Sequence, residues 1–259
     1  NFGAMNILCT DKTGTLTEDK IVLEKYLDIY GKEDLEVLKY AFLNANFQTG
    51  LKGNIDEAVI KRGLEYDMSD KTKDFKKIDE IPFDFTRRCL SVIVKENDNK
   101  SMMITKGAVE EILNMCTLVD DKGKIAPITN AIKENVKQIS KKLNSDGLRV
   151  IAVCKKDVTD HNSPFEVSDE KNMILAGFIG FLDPPKESAK ESIKKLNKSG
   201  IRVIVLTGDN AEVTKCICDR VGIQSKGIVT GNEVDKLSDA AMLKKKKKNN
   251  IFVKLSPIQ

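Results

Sequence analysis

Short apolar runs that end in polar turn chemistry alternate with amphipathic stretches along this chain, and the rhythm changes partway. Met5 to Thr10 is an apolar run that stops at Asp11-Lys12-Thr13-Gly14-Thr15, which predicts a buried strand feeding a loop. The last third has a helical pattern at Lys186 to Lys198, then Gly200, the apolar run Ile201 to Leu206, the loop Thr207-Gly208-Asp209 and a second helical pattern at Ala211 to Val221. Gly227 to Thr230 and Ile251 to Leu255 predict two more strands, separated by a helical stretch from Val234 to Leu243 that runs into five lysines, Lys244 to Lys248. Strands and helices alternating in this way predict a parallel sheet with crossover helices.

The middle has another pattern. Helical segments at Asp34 to Gln48 and Ile55 to Leu64 precede strand-like Leu90 to Lys95 and Ser101 to Thr105, joined across Glu96 to Lys100. That join predicts a hairpin and hence an antiparallel sheet. Helical patterns at Val109 to Met115 and Ala131 to Asn144, the strand Leu148 to Cys154 and the polar loop Asp157 to Lys171 close the block. The expected fold class is α/β. A parallel-sheet domain, residues 1–23 and 171–259, is split in sequence by an inserted α+β domain built on an antiparallel sheet, residues 24–170.

Composition narrows the chemistry. The 259 residues are 41% hydrophobic and 32% charged, ordinary values for a chain long enough for two domains. Lys and Arg number 43 against 39 Asp and Glu, so no uniformly basic surface points to nucleic acid. A single histidine, His161, sits in the loop-like Thr159 to Pro164 and leaves no material for a His-rich zinc site. Six cysteines show no paired CxxC pattern, and four lie in apolar contexts, which fits reduced thiols in a cytosolic setting. The longest apolar run, Met173 to Leu182, has ten residues, where a membrane-spanning helix needs about 20. No charged-then-apolar leader opens the sequence.

Reactive groups in open parallel sheets lie beyond the carboxyl ends of the strands, and two predicted strands end there in acids, Asp11 and Asp209. Asp11 has the pattern of a phosphoryl acceptor: a carboxylate nucleophile, then Thr13, Gly14 and Thr15, whose hydroxyls and open backbone N–H groups can hold phosphate oxygens. Transfer from a triphosphate to a carboxylate needs their mutual repulsion cancelled, so Mg²⁺ is expected beside Asp11.

Asp11-Lys12-Thr13-Gly14-Thr15-Leu16-Thr17 resembles the phosphorylation signature of the P-type ATPases, ion pumps built on the Rossmann-like haloacid-dehalogenase fold. Lys106-Gly107-Ala108, Asp183-Pro184-Pro185 and Thr207-Gly208-Asp209 resemble that family's nucleotide-pocket motif, its hinge and its second phosphate loop, in the family's order. The resemblance implies that Asp11 is phosphorylated from ATP, with Thr13 giving its carbonyl to Mg²⁺ and its hydroxyl to phosphate. Thr207 and Gly208 would hold phosphoryl oxygens, and Asp209 would complete their loop. It implies a nucleotide pocket in which Phe83 or Phe85 stacks on adenine, an arrangement worth about 1–3 kcal/mol where bases stack on aromatic rings. Arg88 would be a basic phosphate-side residue, Lys106 a mobile positive charge with Gly107 in its motif, and Arg149 the fork that reaches the β-phosphate. Asp56 stands where the family often keeps an acid near the adenine amino group, or is a solvated helix acid.

Phosphatases of the same fold usually carry a second aspartate two residues after the nucleophile, and here that residue is Thr13. Losing a general base worth about 10²–10⁴-fold suits a pump that must retain its phosphoenzyme. The resemblance further implies transmembrane and actuator domains in the same parent chain, a place at the cytoplasmic face of the cell membrane, and continuation beyond Gln259 into a lysine and a glycine- and aspartate-rich loop. Asn1 to Met5, Gln48 to Lys52 and Asp79 to Phe85 are most similar to bacterial magnesium-transporting P-type ATPases, so the expected cargo is Mg²⁺. The rivals are a soluble phosphatase with a large cap, and a noncatalytic nucleotide-binding or regulatory module that uses Lys244 to Lys248 on anionic surfaces. Five successive lysines point all round a helix, as a solvated helix end does.

Overall fold

The computed structural model describes residues 5–18, 20–50, 52–97, 101–159, 164–256 and 258. The expectations for residues 1–4, Leu51, the centre of the join at 98–100 and the loop around His161 lie outside them. Contacts divide the chain into two units, Asn1–Ile21 with Asn144–Leu148 and Asp183–Gln259, and Val22–Leu143 with Arg149–Leu182. Among the described residues no helix is long and apolar enough to cross a membrane.

Strand β1 (Ile7–Asp11) opens the first unit. The inserted unit then runs β2 (Val22–Leu27), α1 (Leu35–Phe47), α2 (Asn54–Leu64), α3 (Met68–Lys71), β3 (Phe75–Asp84), β4 (Cys89–Glu96), β5 (Ser101–Gly107), α4 (Val109–Met115), β6 (Cys116–Asp121), β7 (Lys124–Pro127), α5 (Asn130–Ser145), β8 (Leu148–Val158) and β9 (Met173–Leu182). The chain returns through α6 (Glu187–Lys198), β10 (Arg202–Leu206), α7 (Ala211–Val221), β11 (Ile228–Thr230), α8 (Gly231–Val234), α9 (Asp239–Lys248) and β12 (Ile251–Val253).

In the first unit the described strands form a parallel sheet in the order β1-β10-β12-β11. Val203 and Val205 are buried against α6 and α7 on one face, and Ile204 on the other packs with Val229, Phe252, Val234 of α8 and Met242 of α9, so both faces are covered as parallel strands require. Helix α7 starts where the Asn210 side chain accepts the Val213 N–H at 2.9 Å and stops at Gly222, whose φ of 84° a β-carbon would disfavour. The helix expected over Val234 to Leu243 is instead two, α8 and α9. Ser238 caps the second by accepting the Ala241 N–H, so the chain must leave the helical path before it.

The lysine run is the last turn of α9, where cations complement the helix dipole. Arg202 holds that end, donating to the carbonyls of Lys246, Lys247 and Asn249 at 2.6–2.8 Å. Charged hydrogen bonds of this kind contribute about 1.5–3 kcal/mol. Arg202→Ala is therefore expected to lower the unfolding free energy of this unit by about that much, read as a lower urea midpoint, and an unchanged midpoint would show that water replaces the guanidinium at no cost.

The inserted unit holds a largely antiparallel sheet, β3-β4-β5-β8-β9-β6-β7, with β2 also on β9. Helix α1, capped by Asp34, packs on it and is buried from Tyr40 to Ala45. Its Asn44 amide donates to the carbonyls of Leu90 at 3.2 Å and Ile104 at 2.8 Å, pinning the helix across β4 and β5. The expected return at residue 171 falls before β9. That strand pairs with β6 through Met173–Leu175 and with β2 through Phe178–Leu182, so it runs in this unit's core. Residues 144–148, expected within the insertion, group with the first unit, where Asp146 accepts from Arg220 on α7 at 3.0 Å.

Candidate functional site

Asp11 is the last residue of β1, level with Leu206 on β10, so the loops that follow both strands start at one sheet edge. The loop after Asp11 is a tight turn in which the N–H groups of Leu16 and Thr17 reach the Lys12 carbonyl at 3.0 and 3.2 Å. Gly14 sits at φ 73°, the left-handed region that favours glycine. Thr17 is the peg of the turn: fully buried, its hydroxyl accepts the Gly14 N–H at 3.2 Å and donates to the Lys12 carbonyl at 3.3 Å. Asp11, Thr13 and Thr15 stay exposed, and one Asp11 oxygen accepts the Lys12 N–H at 2.7 Å.

The Thr207 loop is held by the strand beside it. Leu255 N–H bonds the Thr207 carbonyl at 3.1 Å and Lys254 N–H the Asp209 carbonyl at 2.9 Å, while the Thr207 hydroxyl accepts the Asp209 N–H at 3.2 Å. A β-carbon on Gly208 would stand 3.4 Å from the Leu255 carbonyl oxygen, at van der Waals contact.

Lys12 is the centre of this edge. It is 1% exposed, and its ammonium lies 2.6 Å from Asp183 and 2.8 Å from Asp209. Burial pulls its pKa down, but Asp209 and Asp183 outweigh that and leave it raised. The other Asp183 oxygen is buried without a partner among the described residues. The segment that follows Asp183 is also tied in, through Glu18 N–H to the Pro184 carbonyl at 2.7 Å and a bridge between Thr17 and Pro185.

Two acids at this edge are thus engaged by Lys12, and among the described residues no group of three or more His, Cys, Asp or Glu could hold a metal. The exposed Asp11 carboxylate and the Thr13 carbonyl remain, since the turn's own bonds use the carbonyls of Lys12 and Gly14. That pair fits Mg²⁺, which is commonly held by one or two carboxylates while water and substrate phosphate fill the rest of its shell.

In the inserted unit the residues expected to form the nucleotide pocket fall into two groups. Lys106 on β5 and Asp56 in the first turn of α2 are both buried and form an ion pair. Gln48, the C-cap of α1, joins them, accepting from Lys106 at 3.2 Å and donating to Asp56 at 2.7 Å. Burial lowers the Lys106 pKa despite Asp56, so this ammonium is poorly compensated. Asp56 is therefore a buried lysine partner; the solvated helix acid is set aside.

Phe83, at the end of β3, and Phe85, on the β3–β4 turn, are 51% and 89% exposed, with ring centroids 5.3 Å apart at 87°. Two bare rings in edge-to-face contact at this hairpin end cost apolar exposure that no core reason explains. Arg88, at φ 51°, points its guanidinium to Glu111 and, at 3.9 Å, to Glu110. Gly107 is buried, and a β-carbon there would lie 2.5 Å from the Cys89 β-carbon, so strand packing accounts for it. Arg149 is exposed at the start of β8. Arg87, which the sequence did not single out, is anchored on buried Glu170.

Residues 41–188, more than half of the chain, match the family model described as P-type ATPase, cytoplasmic domain N. The chain is 44% identical over 258 residues to magnesium-transporting ATPase, P-type 1 of Escherichia coli (strain K12) and 45% identical to that of Salmonella typhimurium (strain LT2), in each case over 100% of this chain and 29% of the relative. It is 30% identical to calcium-transporting ATPase 1 of Lactococcus lactis subsp. lactis (strain IL1403), over 99% of the chain and 31% of that protein. The chain spans 29% of the length of the magnesium-transporting relatives. On the family match, it belongs to the P-type ATPases, as a member of the cytoplasmic domain N family.

Proposed function

We propose that the chain is the ATP-binding and phosphorylation part of a cation-transporting P-type ATPase, with the first unit as a Rossmann-like haloacid-dehalogenase domain and Mg²⁺ as the cargo. The observation that carries this is the exposed Asp11 carboxylate at the end of a parallel strand, with Lys12 behind it joined to Asp183 and Asp209. The names of the magnesium-transporting relatives support the cargo.

In this reading the inserted unit takes up ATP, with Phe83 or Phe85 under the base and Lys106, Arg88 and Arg149 toward the phosphates. An Asp11 oxygen attacks the γ-phosphorus, the bond to the β-phosphate oxygen breaks, and ADP leaves with the negative charge. Thr13, Thr15, Thr207, Gly208 and the loop ending in Asp209 hold the transferred oxygens. Bound at Asp11 and Thr13, Mg²⁺ would supply the positive charge that offsets this repulsion. Thr13 in place of a second acid supports a pump that keeps its acyl-phosphate, and counts against a free-standing phosphatase. The transmembrane and actuator parts would belong to the same parent chain at the cytoplasmic face of the membrane.

The test is labelled ATP given to the full-length protein. An acid-stable, hydroxylamine-labile phosphoprotein that Asp11→Asn abolishes is expected, and label that survives the substitution would overturn the assignment. For the pocket, Phe83→Ala is expected to weaken ATP binding to this chain by about 5- to 150-fold, the stacking range converted to affinity. Lys106→Ala should weaken it as well. If calorimetric titration shows no change in either, the pocket lies elsewhere.

A further inference from the structure

Glu170, between a short 3₁₀ turn at Val167–Asp169 and β9, is 6% exposed, deep in the inserted unit. Its two oxygens face different partners. One accepts from the Arg87 guanidinium. The other accepts the Ser91 hydroxyl at 2.5 Å, and Ser91 lies 2.7 Å from the hydroxyl of Thr105, the neighbour of Lys106 on β5. The second terminal nitrogen of Arg87 donates to the Pro82 carbonyl at 2.6 Å, one residue before Phe83. Asp84 closes the turn on the other side, accepting the N–H groups of Thr86 at 2.5 Å and Arg87 at 3.2 Å.

A buried carboxylate is costly unless it is paired and hydrogen-bonded, and neither sheet pairing nor the hydrophobic core requires one here. The guanidinium is a rigid planar fork, so fixing one nitrogen fixes where the other points. Glu170 thus determines where the Pro82 carbonyl sits, and with it the start of the segment bearing the exposed rings. We infer that Glu170, acting through Arg87, is a positioning residue that sets the Phe83 ring for the nucleotide base. The inference rests on the pocket proposed above, and it separates two contributions to affinity. Base stacking depends on Glu170, whereas attraction of phosphate does not.

The experiment titrates this chain with ATP and with inorganic tripolyphosphate by calorimetry, using the unsubstituted protein, Phe83→Ala, Glu170→Gln and the double variant Arg87→Met with Glu170→Gln. The double variant leaves no buried charge unpaired, and circular dichroism checks its fold. Both Glu170 variants are expected to bind ATP at least about fivefold more weakly, within the loss that removal of a stacking ring produces, with tripolyphosphate affinity unchanged. Equal losses for both ligands would show a general structural effect and overturn the inference. So would undiminished ATP binding in the double variant when Phe83→Ala does weaken it. If Phe83→Ala is itself silent, Phe83 is not the stacking ring and this inference fails, whereas the pocket itself fails only if Lys106→Ala is silent too.

Discussion

Lys12→Met is expected to lower the unfolding free energy of the parallel-sheet unit by about 3–5 kcal/mol, the cost of stranding buried charges when their partner is removed. Lys12 lies at 2.6 and 2.8 Å from two carboxylates whose side chains are 11% and 15% exposed. Without the ammonium these acids repel each other across the edge that carries Asp11. Urea unfolding with a probe specific to this unit checks the loss, because the two units need not unfold in one step. Adding Asp183→Asn and Asp209→Asn to Lys12→Met should restore most of the stability, since uncharged amides do not need the cation. A loss below about 1 kcal/mol, the value of an exposed pair, would mean that water screens the cluster.

The same cluster gives a signed pH dependence. The folded pKa of Lys12 is raised above the ordinary 10.5, so the folded state binds its proton more tightly than the unfolded chain does. Its contribution is therefore fully present below 10.5 and is lost as pH rises through the raised value. The stability difference between the protein and Lys12→Met should be flat up to that window and shrink above it.

The elements that were legible carry their instructions locally. Helix α1 begins at the Asp34 cap and ends at Gln48, and α7 lies between the Asn210 cap and Gly222; each boundary is a side chain or glycine acting on its neighbours. Strand β9 gives no such signal. Ten residues without a charged or polar side chain, eight of them buried, have no alternation to mark a face, and β2, its partner, reads Val-Leu-Glu-Lys-Tyr-Leu with no clear period. The division of contacts after Leu182 follows from that pairing, which no local pattern marks.

The site divides in the same way. Asp11, Thr13 and Thr207 belong to contiguous motifs on loops after strands, where local chemistry already suggests phosphate. Lys12 meets Asp183 across 171 positions, Arg87 meets Glu170 across 83, and Lys106 meets Asp56 across 50. A buried charge is identified by its partner, and no local pattern supplies a partner so far away. Two adjacent arginines, Arg87 and Arg88, also look alike in sequence. In the fold one is anchored beneath the aromatic turn and the other lies over acids on α4.

Thr13→Asp in the full-length protein is expected to shorten the lifetime of the acyl-phosphate proposed at Asp11 by about 10²–10⁴-fold, the usual contribution of a positioned general base. Thr13 is exposed two residues after Asp11, on the loop whose path is fixed by Gly14 and Thr17, so a carboxylate there can reach water near the phosphoryl group without disturbing the turn. The other acids of this edge are poor substitutes. Asp183 and Asp209 each have an oxygen engaged by the Lys12 ammonium, at 2.6 and 2.8 Å, which ties both side chains down beneath the edge. The measurement is the decay of label after a chase with excess unlabelled ATP. Thr13→Val is the control, because it also removes the hydroxyl but adds no base: it should reduce how much phosphoenzyme forms while leaving the decay slow. Fast decay in both variants would assign the long lifetime to the threonine hydroxyl, whereas slow decay in both would place the restraint on hydrolysis outside this loop.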